Sequence, residues 1–299
     1  MALKRPSKST SPTRACYLCA GENFETVSGK VRDRPDLGIL RCTACGLVFL
    51  ENFKHIDADY YDKTYPQGNH EATDWQQFLN ACSADDKRRA DQLTPLILNR
   101  RLLDVGCGAG GLLLNVKDKC EKASGIEPQT RWKNALLSKG ITVYSSLDEI
   151  KNESVDVLSM FHVLEHIPDP IDFLKNAIKK VIPGGQLVIE VPNANDALLQ
   201  LYKSRSFSEF TYWSPHLYLY TPHTLGRLLE KVQLTDFTIR QFQRYPLSNH
   251  LYWLCNEKPG GHQKWSFIDT PALTQAYADT LAAMGLCDTL ISIVTLKQK

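Results

Sequence analysis

The sequence predicts an α/β fold: a doubly wound, mostly parallel seven-stranded sheet with a small cysteine-bearing module in front of it. Three observations carry that expectation. An apolar stretch at 101–105 runs straight into the glycine-rich turn Gly106-Cys107-Gly108-Ala109-Gly110-Gly111. Downstream, apolar strand-like runs alternate with helical patterns, the order that builds a parallel sheet covered on both faces. Upstream, four of the nine cysteines form two C-x2-C pairs, Cys16/Cys19 and Cys42/Cys45.

Composition agrees. The 299 residues, 43% hydrophobic and 23% charged, suit one large α/β domain plus an appendage. A net charge of +2 among 35 basic and 33 acidic side chains leaves no large basic footprint, which disfavours a nucleic-acid partner. No run of 18 apolar residues occurs and the first ten residues carry no apolar signal core, so the reading is a cytoplasmic protein without a membrane span.

From the N-terminus, residues 1–14 are rich in Ser, Thr, Pro and Lys and read as a disordered tail. The two cysteine pairs have metal-ligand spacing, and four thiolates at tetrahedral corners suit a structural Zn2+. Such a site has no open position for substrate, so its role is architectural. The remaining Cys82, Cys107, Cys120, Cys255 and Cys287 lack paired spacing and read as small buried or semi-buried residues. A strand at 47–50 and a connector with Tyr60, Tyr61 and Tyr65 follow the module.

Phe78, Leu79, Ala90, Leu93 and Leu96 have helical spacing over 75–98, with Pro95 expected to interrupt the helix. Strands are expected at 101–105, 123–127, 141–145, 155–161, 186–191, 234–242 and 289–296. Thr221-Pro222 starts a helix whose buried stripe is Leu225, Leu228, Leu229 and Val232. In the glycine turn, Gly106, Gly108 and Gly111 also match G-x-G-x-x-G, with Glu127 about 20 residues on, as in dinucleotide-binding folds. Asp104 argues against that cofactor, since it puts a carboxylate inside a strand that should be apolar.

Taken together, LDVGCGAG, GIEP, DVLSMFHVLEHIPDP and PGGQLVIEVPN resemble, in order and spacing over roughly residues 96 to 240, the class I S-adenosylmethionine-dependent methyltransferases. The resemblance implies a Rossmann-like fold with S-adenosyl-L-methionine as cofactor. It implies that Gly106, Gly108 and Gly110, with the backbone of Cys107, lie against the methionine part. Asp104 would hold the loop and meet the ammonium, and Glu127 would take the ribose hydroxyls. Ser146 and Leu147 would meet the adenine edge, and Phe161 and His162 would border the cofactor. The expected domains are a zinc module and connector over 15–70, similar to those of sugar- and glycan-tailoring methyltransferases, and a methyltransferase domain over 71–299 with substrate loops at 193–220 and 244–288.

Methyl transfer to oxygen needs alignment and a proton acceptor. By the resemblance, His166 of Leu164-Glu165-His166 lies nearest the methyl, with Glu165 orienting an imidazole. His162, His216, His250 and His262 are further candidates. The aromatic run 210–220, with Asn193, reads as a substrate wall, and Trp and Tyr interleaved with polar groups over 244–265 suit a carbohydrate. The expected substrate is therefore a small polar metabolite, a sugar or glycan precursor, methylated at oxygen with carbon as a variant. An RNA base methyltransferase using its zinc module for recognition is the alternative. A non-catalytic scaffold is disfavoured by the intact glycine turn and Glu127. Oligomeric state is not legible.

Overall fold

Within the computed structural model, residues 15–56, 60 and 74–298 are described; the 1–14 tail, Tyr61 and Tyr65 lie outside them. The elements are β1 (Phe24–Thr26), β2 (Ile39–Cys42), β3 (Val48–Leu50), α1 (Trp75–Ile97), β4 (Arg101–Val105), α2 (Gly111–Val116), β5 (Lys122–Ile126), α3 (Thr130–Ser138) and β6 (Thr142–Tyr144). After these come β7 (Val155–Phe161), α4 (Pro170–Lys180), β8 (Val181–Pro192), β9 (Tyr218–Leu219), α5 (Pro222–Lys231), β10 (Phe237–Phe242), α6 (Leu247–Asn256), α7 (Pro271–Met284) and β11 (Thr289–Thr295). Short helical turns join several of them.

The large sheet has seven strands in the order β10-β11-β8-β7-β4-β5-β6. β4 to β8 run parallel, and β11 pairs antiparallel with both β8 and β10. Alternate side chains bury on opposite faces. Leu103, Leu158, Ile189 and Leu290 face one cluster with Leu174 and Ala177 of α4 and Leu225, Leu228 and Leu229 of α5. Leu102, Val157 and Val188 face the other, with Leu93 and Ile97 of α1, Leu112 and Leu113 of α2 and Leu136 of α3. Burial on both faces is why these strands read as continuous apolar runs.

Several elements differ from expectation; β10, for one, begins at Phe237 rather than at 234. α1 continues through Pro95, which lies two residues before its end; the neighbouring Thr94 hydroxyl donates to the Ala90 carbonyl at 2.6 Å. β8 begins at Val181, and the chain passes Pro183-Gly184-Gly185 by a register shift opposite β7, with Gly184 at φ 74°. The stretch 244–288 is largely helical rather than a loop, with α7 started by Thr270, whose hydroxyl accepts the Leu273 N–H, and Pro271 at its first turn.

The N-terminal module is continuous with the large domain. β9 extends its sheet to the order β1-β2-β3-β9, with Val48 opposite Leu219 and Phe49 opposite Tyr218. Leu18, Val31, Ile39, Leu47 and Leu50 share one apolar core with Leu217, Tyr220 and Leu228. Lys231, at the end of α5, donates to the Tyr17 carbonyl at 2.7 Å.

Candidate active site

The glycine turn follows β4 at the C-terminal edge of the sheet, where parallel α/β folds bind ligands. Gly106 and Cys107 donate their N–H groups to the Ile126 carbonyl at 2.8 and 3.1 Å, folding the turn against β5. Gly108 sits at φ 53°, and among the described residues a Cβ there would meet nothing nearer than Phe78, at 4.0 Å, so within them the turn is open. The third glycine of the dinucleotide-like match has another cause: a Cβ on Gly111 would come within 1.9 Å of Asp86 Oδ2, so Gly111 lets α1 lie against α2.

Carboxylates border this cradle. Asp104 is 4% exposed and accepts the Ser159 hydroxyl at 2.7 Å. Burial pushes its pKa up to about 7, only partly offset by that hydrogen bond. Glu127 takes the Gly108 N–H at 2.9 Å on one oxygen and the Gln129 N–H at 2.8 Å on the other. Its own N–H donates to the Tyr144 carbonyl at 3.0 Å, bringing the end of β5 beside the end of β6, two residues before Ser146. Leu147 is buried, and α1 covers the turn through Trp75, whose indole N–H donates to the Ala109 carbonyl at 3.0 Å. An open, glycine-lined turn flanked by two carboxylates fits a cationic sulfonium cofactor with a ribose.

Beyond β7 the chain turns sharply. His162 adopts φ 55°, rare for a residue with a side chain, and its N–H donates to the Glu190 carbonyl at 2.9 Å. Arg244 Nη1, which has only protons to offer, lies 3.0 Å from His162 Nε2, so that nitrogen accepts and the Nδ1–H donates to Glu165 Oε1 at 3.0 Å. Both ring nitrogens are thereby engaged; Glu190 Oε1 also lies 3.4 Å from Nε2, and the two carboxylates hold the imidazole's pKa above its usual value despite burial. Val163 abuts the glycine turn: a Cβ on Gly106 would lie 2.6 Å from it.

The next turn holds Glu165 and His166, and the aromatic segment brings His216 to them. The imidazoles of His166 and His216 meet edge to face with centroids 4.9 Å apart. A ligand atom from each of Glu165, His166 and His216 lies within 4.8 Å of the other two. Burial, with the His166 imidazole beside it, pushes His216 down to about 3, and burial lowers His166 as well. Both rings are therefore neutral near pH 7. Glu165 resists the effect of its burial, held at about 2 chiefly by the hydrogen bond from His162, and stays ionised.

His162 and His216 open onto a cavity of about 290 Å³ whose walls include Trp213, Trp253, Phe210, Asn249, His262 and Arg244. A larger depression around Lys117, Glu121 and Lys139 lies at the N-terminal ends of β5 and β6, the wrong edge of the sheet for this chemistry. His250, expected as a candidate, is held by the Tyr277 hydroxyl at 2.6 Å and Gln243 at 3.3 Å; His262 contacts Asn249 at 3.3 Å.

The wall carrying Trp213 and His216 is gripped by the module. The Arg32 guanidinium stacks on Phe210 and Trp213, 4.7 and 4.6 Å from their centroids. The Tyr60 hydroxyl lies 2.8 Å from Ser214 Oγ, and His55 Nε2 lies 2.8 Å from the Ser214 carbonyl.

A buried ionic cluster closes the far side. Glu190 is fully buried and receives hydrogen bonds from Arg88 at 2.8 and 3.0 Å and from Arg89 at 2.7 and 3.0 Å. Arg244 pairs with Asp85. Sequence reading missed these residues; an arginine pair in a helix and a glutamate inside an apolar strand were the available signals.

In the module, Cys16 Sγ and Cys45 Sγ are 3.7 Å apart, and Cys19 Sγ and Cys42 Sγ 3.5 Å. All four are free thiols. Zinc–sulfur bonds of about 2.3 Å in tetrahedral geometry place sulfurs about 3.8 Å apart, so the donor set fits zinc.

A family profile described as a methyltransferase domain matches residues 68–239. The ubiquinone biosynthesis O-methyltransferase of Proteus mirabilis is 30% identical over 119 residues, which is 36% of this chain and 47% of that protein. Its Vibrio cholerae counterpart is 30% identical over 125 residues, 35% and 51%. The chain thus spans about half the length of these curated relatives. A methyltransferase structure from Archaeoglobus fulgidus shares the fold with TM-score 0.50 and 20% identity, covering 73% of this chain and 99% of that one. A Thermotoga maritima structure, titled a possible histamine N-methyltransferase, shares it with TM-score 0.50 and 17% identity, covering 75% and 94%.

Proposed function

This chain belongs to the methyltransferase-domain family as an S-adenosylmethionine-dependent enzyme, and on that premise we propose that it methylates a hydroxyl oxygen on a small polar ring, a sugar or glycan precursor. One observation carries the reading: the Glu165–His166–His216 cluster follows Val163, which abuts Gly106 of the glycine turn, and its His216 also lines the 290 Å³ cavity. The O-methyltransferase activity named for the curated relatives supports oxygen as the acceptor atom. Aromatic faces at Trp213 and Trp253 beside Asn249, His262 and Arg244 suit a ring that presents hydroxyls and an apolar face.

When bound, S-adenosylmethionine supplies a methyl group on a positively charged sulfur. Gly106, Gly108 and Gly110 would hold its methionine part, Asp104 its ammonium, Glu127 its ribose, and Ser146 and Leu147 its adenine. The neutral imidazoles of His166 and His216 would take up the hydroxyl proton, with Glu165 favouring the charge that forms. Cys16, Cys19, Cys42 and Cys45 would hold a structural zinc that keeps the module folded.

The test offers the zinc-loaded protein methyl-labelled S-adenosylmethionine with three acceptor pools: nucleotide-linked sugars, catechol-type phenols and RNA. Label on a sugar oxygen, with KM raised in Trp213→Ala, is the expected result. Label confined to phenols or RNA would overturn the substrate assignment.

A further inference from the structure

We propose that Glu165, His166 and His216 form a second metal centre, a site for a divalent first-row transition cation at the floor of the acceptor pocket. Its role rests on the O-methylation reading; its existence does not.

The donor set is one carboxylate and two imidazoles, with ligand atoms within 4.8 Å of one another. Two histidines and a carboxylate are a recurrent divalent-metal set that leaves positions open. Bonds of about 2.1 Å hold such atoms about 3–4 Å apart, so small side-chain rotations suffice. The independent observation is Glu165 itself. It is fully buried, and its Oε2 has no hydrogen-bond partner among the described residues, while Oε1 takes the Nδ1–H of His162 at 3.0 Å.

A buried carboxylate oxygen without a partner is costly, and a bound cation removes that cost. The neighbouring charges are already matched among the described residues: Glu190 by Arg88 and Arg89, and Arg244 by Asp85. The surroundings also suit a metal. His162 orients the ligand carboxylate, as second partners do in metal sites. The Leu217 N–H donates to the Glu165 carbonyl at 2.8 Å, tying the two ligand-bearing segments together.

Unlike the four-thiolate cluster, this site opens to the cavity through His216. An acceptor hydroxyl oxygen can become a ligand there, and the cation lowers its pKa. With the cation bound, the two imidazoles are ligands and no longer serve as the proton acceptor, so the O–H proton leaves to water instead. The oxygen lone pair forms the new C–O bond while the S–CH3 bond breaks with its electron pair going to sulfur, and no redox change occurs. The thiolates favour soft or borderline metals and the nitrogen–oxygen set accepts harder ones, so one chain can hold two different ions.

The experiment titrates Mn2+ into full-length, zinc-loaded protein without acceptor and follows free Mn2+ by electron paramagnetic resonance. One saturable equivalent is expected, with affinity at least tenfold weaker in Glu165→Gln and in His216→Ala, each checked for retained S-adenosylmethionine binding. Absence of saturable binding, or equal binding in both folded variants, overturns the proposal. If both variants unfold, wild-type protein with Co2+ decides: a nitrogen–oxygen ligand-field spectrum beside the thiolate one supports the site, and thiolate bands alone refute it. Since no acceptor is present, a wrong substrate assignment cannot produce any of these results.

Discussion

Asp33, in the N-terminal module, accepts both the backbone N–H of Ser214, at 2.9 Å, and its hydroxyl, at 2.6 Å, two residues before His216. A module outside the sheet thus sets where a pocket histidine stands. β3–β9 pairing and the shared core act in the same direction.

Replacing Asp33 by Ala should therefore cost activity more than stability. Ser214 is buried, but Asp33 is exposed and water can partly replace it, so the stability loss should be about 1 kcal/mol. Displacing His216 should lower kcat by about tenfold to a hundredfold. Thermal unfolding and steady-state kinetics on the same preparation separate the two; unchanged kcat would detach the module from the chemistry.

The opposite balance is expected for Glu190→Gln. Removing this buried charge leaves Arg88 and Arg89, 17% and 13% exposed, without their shared partner. Breaking a buried ion pair on one side costs about 3–5 kcal/mol. Denaturant unfolding should show a loss of that size, and a change below about 1 kcal/mol would mean that water reaches the arginines.

Cofactor affinity should depend on pH through Asp104. Its folded pKa, about 7, lies above the usual carboxylate value, so the folded state binds its proton more tightly than the unfolded chain, and this group's contribution to stability falls as pH rises from about 4 to about 7. An ammonium favours the ionised carboxyl, so binding expels the proton. Affinity for S-adenosylmethionine should therefore drop about tenfold per pH unit below about 7. Calorimetry in buffers of different ionisation enthalpy would detect the released proton, and Asp104→Asn should bind weakly with a flat profile.

Stripping zinc with a chelator should lower thermal stability of the whole chain, because the module's apolar residues belong to the large domain's core. Activity should fall with it and return on adding Zn2+. Full activity in protein shown to be metal-free would remove zinc from the architecture.

Much of the fold could be read directly because its signals are local. The glycine turn after β4, the Thr221-Pro222 helix start and the cysteine spacing each lie within a short stretch where neighbours in sequence are neighbours in space. Boundaries slipped where one residue type has two meanings: Pro95 ends a helix or rides in its last turn, and Trp253 and Tyr252 read as a loop's aromatics or as one face of α6.

What the sequence by itself determined is the alternation that builds the seven-stranded sheet, the cradle at its edge and a four-cysteine cluster, since backbone conformation and residue spacing specify these. Only the tertiary structure decided that His216 meets His166 and Glu165, that Glu190 is matched by arginines about a hundred positions away, and that β9 joins the module's sheet. Those pairings come from how α1, the aromatic segment and the module pack over the sheet's C-terminal edge, and packing across such separations leaves no periodic trace in the chain.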